Sequence, residues 1–177
     1  MPQTDDSHRS FDPALIPPAD GMQGVTSAQE TQALFRWASR TKRSIIELGV
    51  YCGYSTLFLG YGLRNRPPDS QRGARIYTVD LHRGLSPLHM DQRDLADLDA
   101  REQVTTFRRL VEQAREYGIW DLLHPIIDDT EYAWRLGLED ECDMLFIDAD
   151  HSQALRDFRN WSRFLKPGAC LLYTSPS

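Results

Sequence analysis

Ser44-Ile45-Ile46-Glu47-Leu48 is a short, β-branched apolar run that meets Gly49 with no polar residue between. Four residues on stands Gly53, followed at once by Tyr54-Ser55-Thr56 and a stretch to Leu63 with helical spacing. A buried strand that stops at a glycine and restarts as a helix constrains the fold strongly. Such a strand needs neighbours along its edges and helices over both faces. The alternation recurs along the chain. Ala74–Asp80, Leu122–Ile127 and Asp143–Asp148 read as further strands. Arg101–Tyr117, stopped by Gly118, and the short Glu131–Leu136 read as helices. Ser152–Leu165 reads as a helix with Leu155, Phe158, Trp161 and Leu165 along one stripe, ended by Lys166-Pro167-Gly168. Ahead of them all, Ser27 and Glu30 have capping-box spacing, so a helix is predicted to about Arg40 with Ala33, Leu34, Trp37 and Ala38 on one face. The expected class is α/β, a mainly parallel sheet with helices on both faces.

Composition narrows the partners. Charged residues make up 26% and hydrophobic ones 41% of 177 residues, the mix of one globular domain. A formal net charge of −6 disfavours a broad grip on nucleic acid or on an anionic membrane. No apolar run approaches the roughly 20 residues of a membrane helix. Met1–Ser10 is polar and carries Asp5 and Asp6, unlike a secretory leader. Cys52, Cys142 and Cys170 are too scattered to suggest a disulfide framework or a zinc site. The expectation is a cytoplasmic protein acting on a small-molecule substrate, with oligomeric state unreadable.

Candidate site residues gather at strand ends, where parallel sheets bind ligands. Gly49 and Gly53 let the backbone pass close to a ligand. Amides at the start of the helix near Tyr54 to Thr56 can meet a ligand carboxylate, with the Ser55 hydroxyl adding a bond. Glu47 can attract an ammonium group. Asp80 ends the second strand, where an acid accepts hydrogen bonds from ribose hydroxyls in dinucleotide-type folds. The fourth strand ends in Asp148-Ala149-Asp150-His151. Its two carboxylates and imidazole can serve as acid and base or bind a divalent ion. Asp148 and Asp150 share a face only if the strand persists that far. Each residue also has a plain structural reading: Glu47 as a solvated strand end, Asp80 as a cap, Asp148 as a loop-ordering residue, and Asp150 or His151 as a helix cap. Trp120, Trp134 and Trp161 read as packing residues, and Cys52 as a small buried filler.

Glu47-Leu48-Gly49-Val50-Tyr51-Cys52-Gly53-Tyr54-Ser55-Thr56, Tyr77-Thr78-Val79-Asp80, and Leu145-Phe146-Ile147-Asp148-Ala149-Asp150-His151 with Leu165-Lys166-Pro167-Gly168 together resemble class I S-adenosylmethionine-dependent methyltransferases. The group resembled is the one related to catechol and caffeoyl-CoA O-methyltransferases, over roughly Val25 to Ala169. The resemblance implies a Rossmann-like fold with later strands missing. It implies S-adenosylmethionine as cofactor, its methionine part on the Glu47–Ser55 cradle and its adenine edge near Asp129 or Thr130, although either residue can equally cap the helix that follows. It also implies methyl transfer to a small-molecule acceptor, a hydroxyl oxygen among the possibilities. In the metal-using branch the position of Asp148 is a ligand for a divalent ion such as Mg, with two further ligands after the fifth strand. Here His151 replaces the lysine common in that branch.

Two other readings share these features, an NAD(P)-dependent oxidoreductase and a non-catalytic nucleotide-binding module. The former prefers a tighter G-x-G-x-x-G than the Gly49–Gly53 pair. Residues 1–22 are expected to be a flexible lead and 23–169 an incomplete cofactor-binding domain. Cys170–Ser177 can be back-translated into the transposon-end adapter used for sequencing libraries and is expected to be a non-native tail; the plainer reading of Cys170–Tyr173 is a fifth strand. The acidic stretch Asp91–Asp99 is a solvated face or a lid, and His82 and His89 are too isolated to assign.

Overall fold

The structure, a computed structural model, describes residues 27–66, 73–82 and 106–174. The lead, the Asp91–Asp99 stretch, His89 and residues 175–177 lie outside the described residues. Helix α1 spans Ala28–Ala38 and opens with the expected capping box. The Glu30 amide donates to Ser27 Oγ at 3.2 Å, and the Ser27 amide donates to Glu30 Oε2 at 2.6 Å. Its buried stripe is Thr31, Leu34 and Ala38. Trp37, expected on that face, is 41% exposed and lies under the Arg40 guanidinium instead. One helical step of about 100° carries it off the stripe.

Five strands form one parallel sheet in the order β3-β2-β1-β4-β5. They are β1 (Ser44–Leu48), β2 (Ile76–Val79), β3 (Leu123–Ile126), β4 (Cys142–Ile147) and β5 (Leu165–Tyr173). Every residue of β1, β2 and β4 is buried, the polar Ser44, Glu47, Thr78 and Asp143 among them, whereas β3 and β5 are partly exposed. The helices between them are α2 (Tyr54–Arg64), α3 (Thr106–Glu116), α4 (Thr130–Ala133) and α5 (Ala154–Trp161). One core, with Leu34, Ile45, Leu57, Phe58, Ile76 and Met144, joins the sheet to α1, α2 and α3. The other, with Ile46, Leu48, Tyr77, Val79, Leu145 and Trp161, joins its opposite face to α4 and α5. The chain therefore covers both faces, as the alternation of elements predicts.

Three differences from the sequence reading matter. Cys170–Tyr173 lies within β5, which begins at Leu165, so the helix before it is shorter than expected. β4 ends at Ile147 and does not continue to Asp150. Half of the expected apolar stripe is also turned outward, with Leu155 62% and Phe158 36% exposed, while Trp161 is buried and Leu165 packs on the core. The buried positions of α5 are Asp157 and Trp161. Hydrogen bonds from Trp161 and to Asp157 seat that face on α4, described below, and these outweigh the burial of two apolar side chains. Among the tryptophans, Trp161 is fully buried, while Trp120 and Trp134 pack against the two cores.

Candidate functional site

The strand order runs outward from β1 through β2 to β3 on one side and through β4 to β5 on the other. Chain connections thus diverge between β1 and β4, the position where open α/β sheets form a ligand crevice. The tips of four strands are tied to one another there by three hydrogen bonds. The Gly49 amide donates to Val79 O at 3.0 Å, the Asp148 amide to Leu48 O at 2.7 Å and the Asp80 amide to Ile126 O at 3.2 Å.

The turn after β1 needs its glycines. Gly49 has φ +83°, and a Cβ there would stand 2.5 Å from the carbonyl oxygen of Asp148, so the backbones leaving β1 and β4 nearly touch. Gly53, at φ +89°, is the left-handed N-cap of α2. Between them Tyr51 also takes a positive φ, 51°, which is costly for a residue with a Cβ. Asp80 holds it there. Its Oδ2 accepts the Val50 amide at 2.6 Å and the Tyr51 amide at 2.8 Å. Its Oδ1 accepts the amide of His82, which like Tyr51 has a positive φ without being glycine, at 2.6 Å. A carboxylate offers about four lone-pair directions. Three are taken by backbone, so Asp80 anchors the glycine turn and keeps limited capacity for a ligand.

Glu47 is fully buried within β1, not solvated at a strand end. Ser55 Oγ donates to its Oε1 at 2.6 Å and Thr56 Oγ1 to its Oε2 at 2.7 Å. Burial pushes the carboxyl up to about 8 against the lowering pull of these two hydroxyls, and the charges of Asp148 and Asp80 push the same way. The Ser55 hydroxyl therefore points at Glu47. The α2 amides are the remaining donors at this helix start, and Tyr54, its first residue, packs edge-on against Phe58.

Asp148 follows β4 directly. Its Oδ1 accepts the Thr174 hydroxyl, and burial raises its carboxyl above the ordinary range, partly offset by that bond and by His151. Asp150 is turned away. Its Oδ1 accepts the Ser152 amide at 2.9 Å and the Ser152 hydroxyl at 2.7 Å, capping a short 3-10 turn. These bonds hold it below the usual carboxylate range. Since β4 ends first, Asp148 and Asp150 do not share a strand face. His151 is exposed at the start of that turn. At the tip of β3, Asp129 caps α4 by accepting the Glu131 amide at 2.9 Å, and Thr130 turns its hydroxyl toward Asp157.

Among the described residues no three His, Cys, Asp or Glu side chains converge to hold a metal ion. At the β4 tip Asp148 stands without a second free carboxylate beside it, because Asp150 is committed to its cap. The Gly49 turn packs directly on the chain leaving β4, since a methyl group on Gly49 would strike the Asp148 backbone.

Three residues of this neighbourhood went unassigned from sequence. Thr56 shares Glu47 with Ser55. His82, buried with its Nδ1 3.0 Å from Thr106 Oγ1 and its ring against Phe107, ties α3 to the Asp80 turn. Burial holds its imidazole below the ordinary range. Asp157 is the third. A polar residue eight or nine positions after a strand acid was the available signal for Thr56; nothing local marks the other two.

The match to a family model described as a methyltransferase domain spans residues 46–174. Among solved structures the chain resembles the SAH-bound Podospora anserina methyltransferase PaMTH1 at 23% identity, TM-score 0.61, covering 90% of this chain and 56% of that one. It also resembles the Streptomyces achromogenes O-methyltransferase TomG in complex with SAM at 21% identity, TM-score 0.58, covering 84% and 56%. A third likeness is the Bacillus cereus O-methyltransferase in complex with SAH at 18% identity, TM-score 0.57, covering 84% and 56%. The chain thus spans a little over half the length of these structures. With the matched segment running through the glycine turn, Asp80 and Asp148, the chain belongs to the methyltransferase domain family.

Proposed function

We propose that this domain binds S-adenosylmethionine and transfers its methyl group to a small-molecule acceptor, a hydroxyl oxygen fitting the site best. The observation that carries this reading is the meeting of the Gly49 turn, Asp80, Glu47 and Asp148 at the β1/β4 switch point. The solved O-methyltransferases of the same fold, described with SAM or SAH, support it.

The cofactor would supply an activated methyl on a sulfonium, so the protein has to align donor with acceptor and exclude water. In this reading the α2 amides from Tyr54 onward face the methionine carboxylate, and Glu47 faces the ammonium group through the polar cluster it forms with Ser55 and Thr56. Gly49 and Gly53 supply the positive φ that lets the turn bend between β1 and α2. Asp80 uses its remaining acceptor capacity on the ribose, and the Asp129–Thr130 turn faces the adenine edge. On the acceptor side Asp148 is the better placed base. It is largely shielded from water and poised above the usual carboxylate range, whereas Asp150 is committed to its cap. His151, exposed beside them, is positioned to pass a proton to solvent.

The acidic net charge fits a small-molecule substrate better than nucleic acid. Among the described residues no helix is long and apolar enough to cross a membrane. We read the cytoplasm as its place.

Calorimetric titration tests the proposal. S-adenosylhomocysteine should bind and NADH should not; the reverse result would overturn it. Asp148→Asn should lower turnover by roughly a hundredfold, within the range for loss of a general base, with cofactor affinity nearly unchanged. Equal turnover of variant and parent would remove Asp148 from the chemistry.

A further inference from the structure

Asp157 is a buried carboxylate that the proposed chemistry does not use. It is 1% exposed on α5, at a position where the helix pattern calls for an apolar side chain. Its Oδ2 accepts the Thr130 hydroxyl at 3.2 Å. Its Oδ1 is buried without a hydrogen-bond partner. An isolated buried carboxylate is costly, so a residue of this kind reports a demand on its position.

The rest of α5 makes the demand visible. Trp161 Nε1 donates to Thr130 O at 2.9 Å, and Asn160 Nδ2 reaches Glu131 O at 3.5 Å. Arg156 pairs with the Glu131 carboxylate at 2.8 Å. Four side chains of one helix thus grip the two residues that follow Asp129. Helix α4 has only four residues and could not fix its own first turn. Asp129 spends Oδ1 on the α4 cap, and its Oδ2 carries no hydrogen bond among the described residues. Asp129 stands three residues after β3, in the turn to which the cofactor reading assigns the adenine edge.

We infer that Asp157 is a positioning residue: through the Thr130 hydroxyl it holds the Asp129 carboxylate at the angle that selects a 6-amino purine. The inference rests on the cofactor reading above and adds the source of its base selectivity. The burial that pushes Asp157 up to about 6, helped by the charges of Asp129 and Asp150, is the cost of keeping an acid rather than a leucine in this seam. α5 follows the Asp148–Asp150 segment after the 3-10 turn His151–Gln153, so the same helix adjoins both candidate sides of the crevice in the chain.

The test is a ratio of affinities, measured by calorimetry with S-adenosylhomocysteine and S-inosylhomocysteine, which differ at the 6-position of the base. The parent protein should prefer the adenine compound by roughly tenfold or more, the size of one hydrogen bond to a charged acceptor. In Asp157→Ala and in Thr130→Val the ratio should fall towards one, while Asp157→Asn, whose amide oxygen still accepts from Thr130, should retain it. A general loss of packing would weaken both ligands equally and leave the ratio intact; that outcome overturns the inference. If Asp157→Ala does not fold, Thr130→Val decides, because it leaves α5 untouched, and an unchanged ratio in it is equally fatal. A parent that binds both compounds alike overturns the inference and leaves the cofactor reading standing. A parent that binds neither overturns the cofactor reading itself.

Discussion

The turn after β1 and the turn after β3 sit at the same end of the sheet, yet they are held by different means. The first is held from within. Its strained residue Tyr51 is fixed by Asp80, and Glu47 beneath it is fixed by Ser55 and Thr56, so the anchors are themselves candidate ligand contacts. The second is held from outside, by Asp157, Asn160, Trp161 and Arg156 of a helix that lies behind it. Changes at the first turn should therefore disturb fold and binding together. Changes at the second can separate them.

The sharpest way to break that contrast is Gly49→Ala. Its methyl group would meet the Asp148 backbone at 2.5 Å, and φ +83° adds strain of its own. A loss of about 3 kcal/mol or more of unfolding free energy is expected, read by urea titration. Stability within 0.5 kcal/mol of the parent, on the order of an ordinary surface change, would show that the strand tips are looser than described.

Asp80→Ala comes next. It strips the acceptor from three backbone amides as well as from any ribose. A cost of about 2 kcal/mol in stability should accompany at least a tenfold loss of S-adenosylhomocysteine affinity. Lost affinity with intact stability would mean that the turn does not need its anchor.

Glu47 supplies a pH signature. Its carboxyl ionises near 8 when folded and near 4.5 ordinarily, so the folded chain binds the extra proton. The stability this contributes is fully present below about 4.5 and is lost as pH rises through about 8. Glu47→Gln should remove that slope, so the parent-minus-variant difference should grow steadily less favourable to the parent between those limits. A flat difference would place Glu47 in a wetter setting than its burial indicates.

The smallest effect belongs to Asp150→Ala, which loses an exposed cap. About 1 kcal/mol or less of stability is expected, with turnover within about threefold of the parent. A larger fall in turnover would return Asp150 to the chemistry.

Much of this was readable along the chain. Ile45, Ile46 and Leu48 declare a central strand because a short β-branched apolar run that stops at a glycine suits a buried strand, and Gly49 and Gly53 mark where it turns. Ser27 and Glu30 declare the start of α1 by their spacing alone. Asp80 was legible as a strand-end acid. Its hold on the Val50, Tyr51 and His82 amides was not, because backbone donors leave no trace in residue identity. The exposed side of α5 was misread for a related reason. Leu155 and Phe158 outscore Asp157 in hydrophobicity, and it is the Thr130 hydroxyl, 27 positions earlier, together with the Trp161 bond to Thr130 O that turns the acid inward.

The order of strand, glycine turn and helix, and the placement of Glu47, Asp80 and Asp148 at successive strands, are properties of the sequence. They follow from local periodicity and from the short reach of turns. Which of those carboxylates is buried, which is committed to a cap and which faces the crevice was decided by tertiary structure. The reason is that a carboxylate takes its character from its surroundings: burial raises Glu47 and Asp148, while hydrogen bonds lower Asp150, and chemically similar residues acquire different roles.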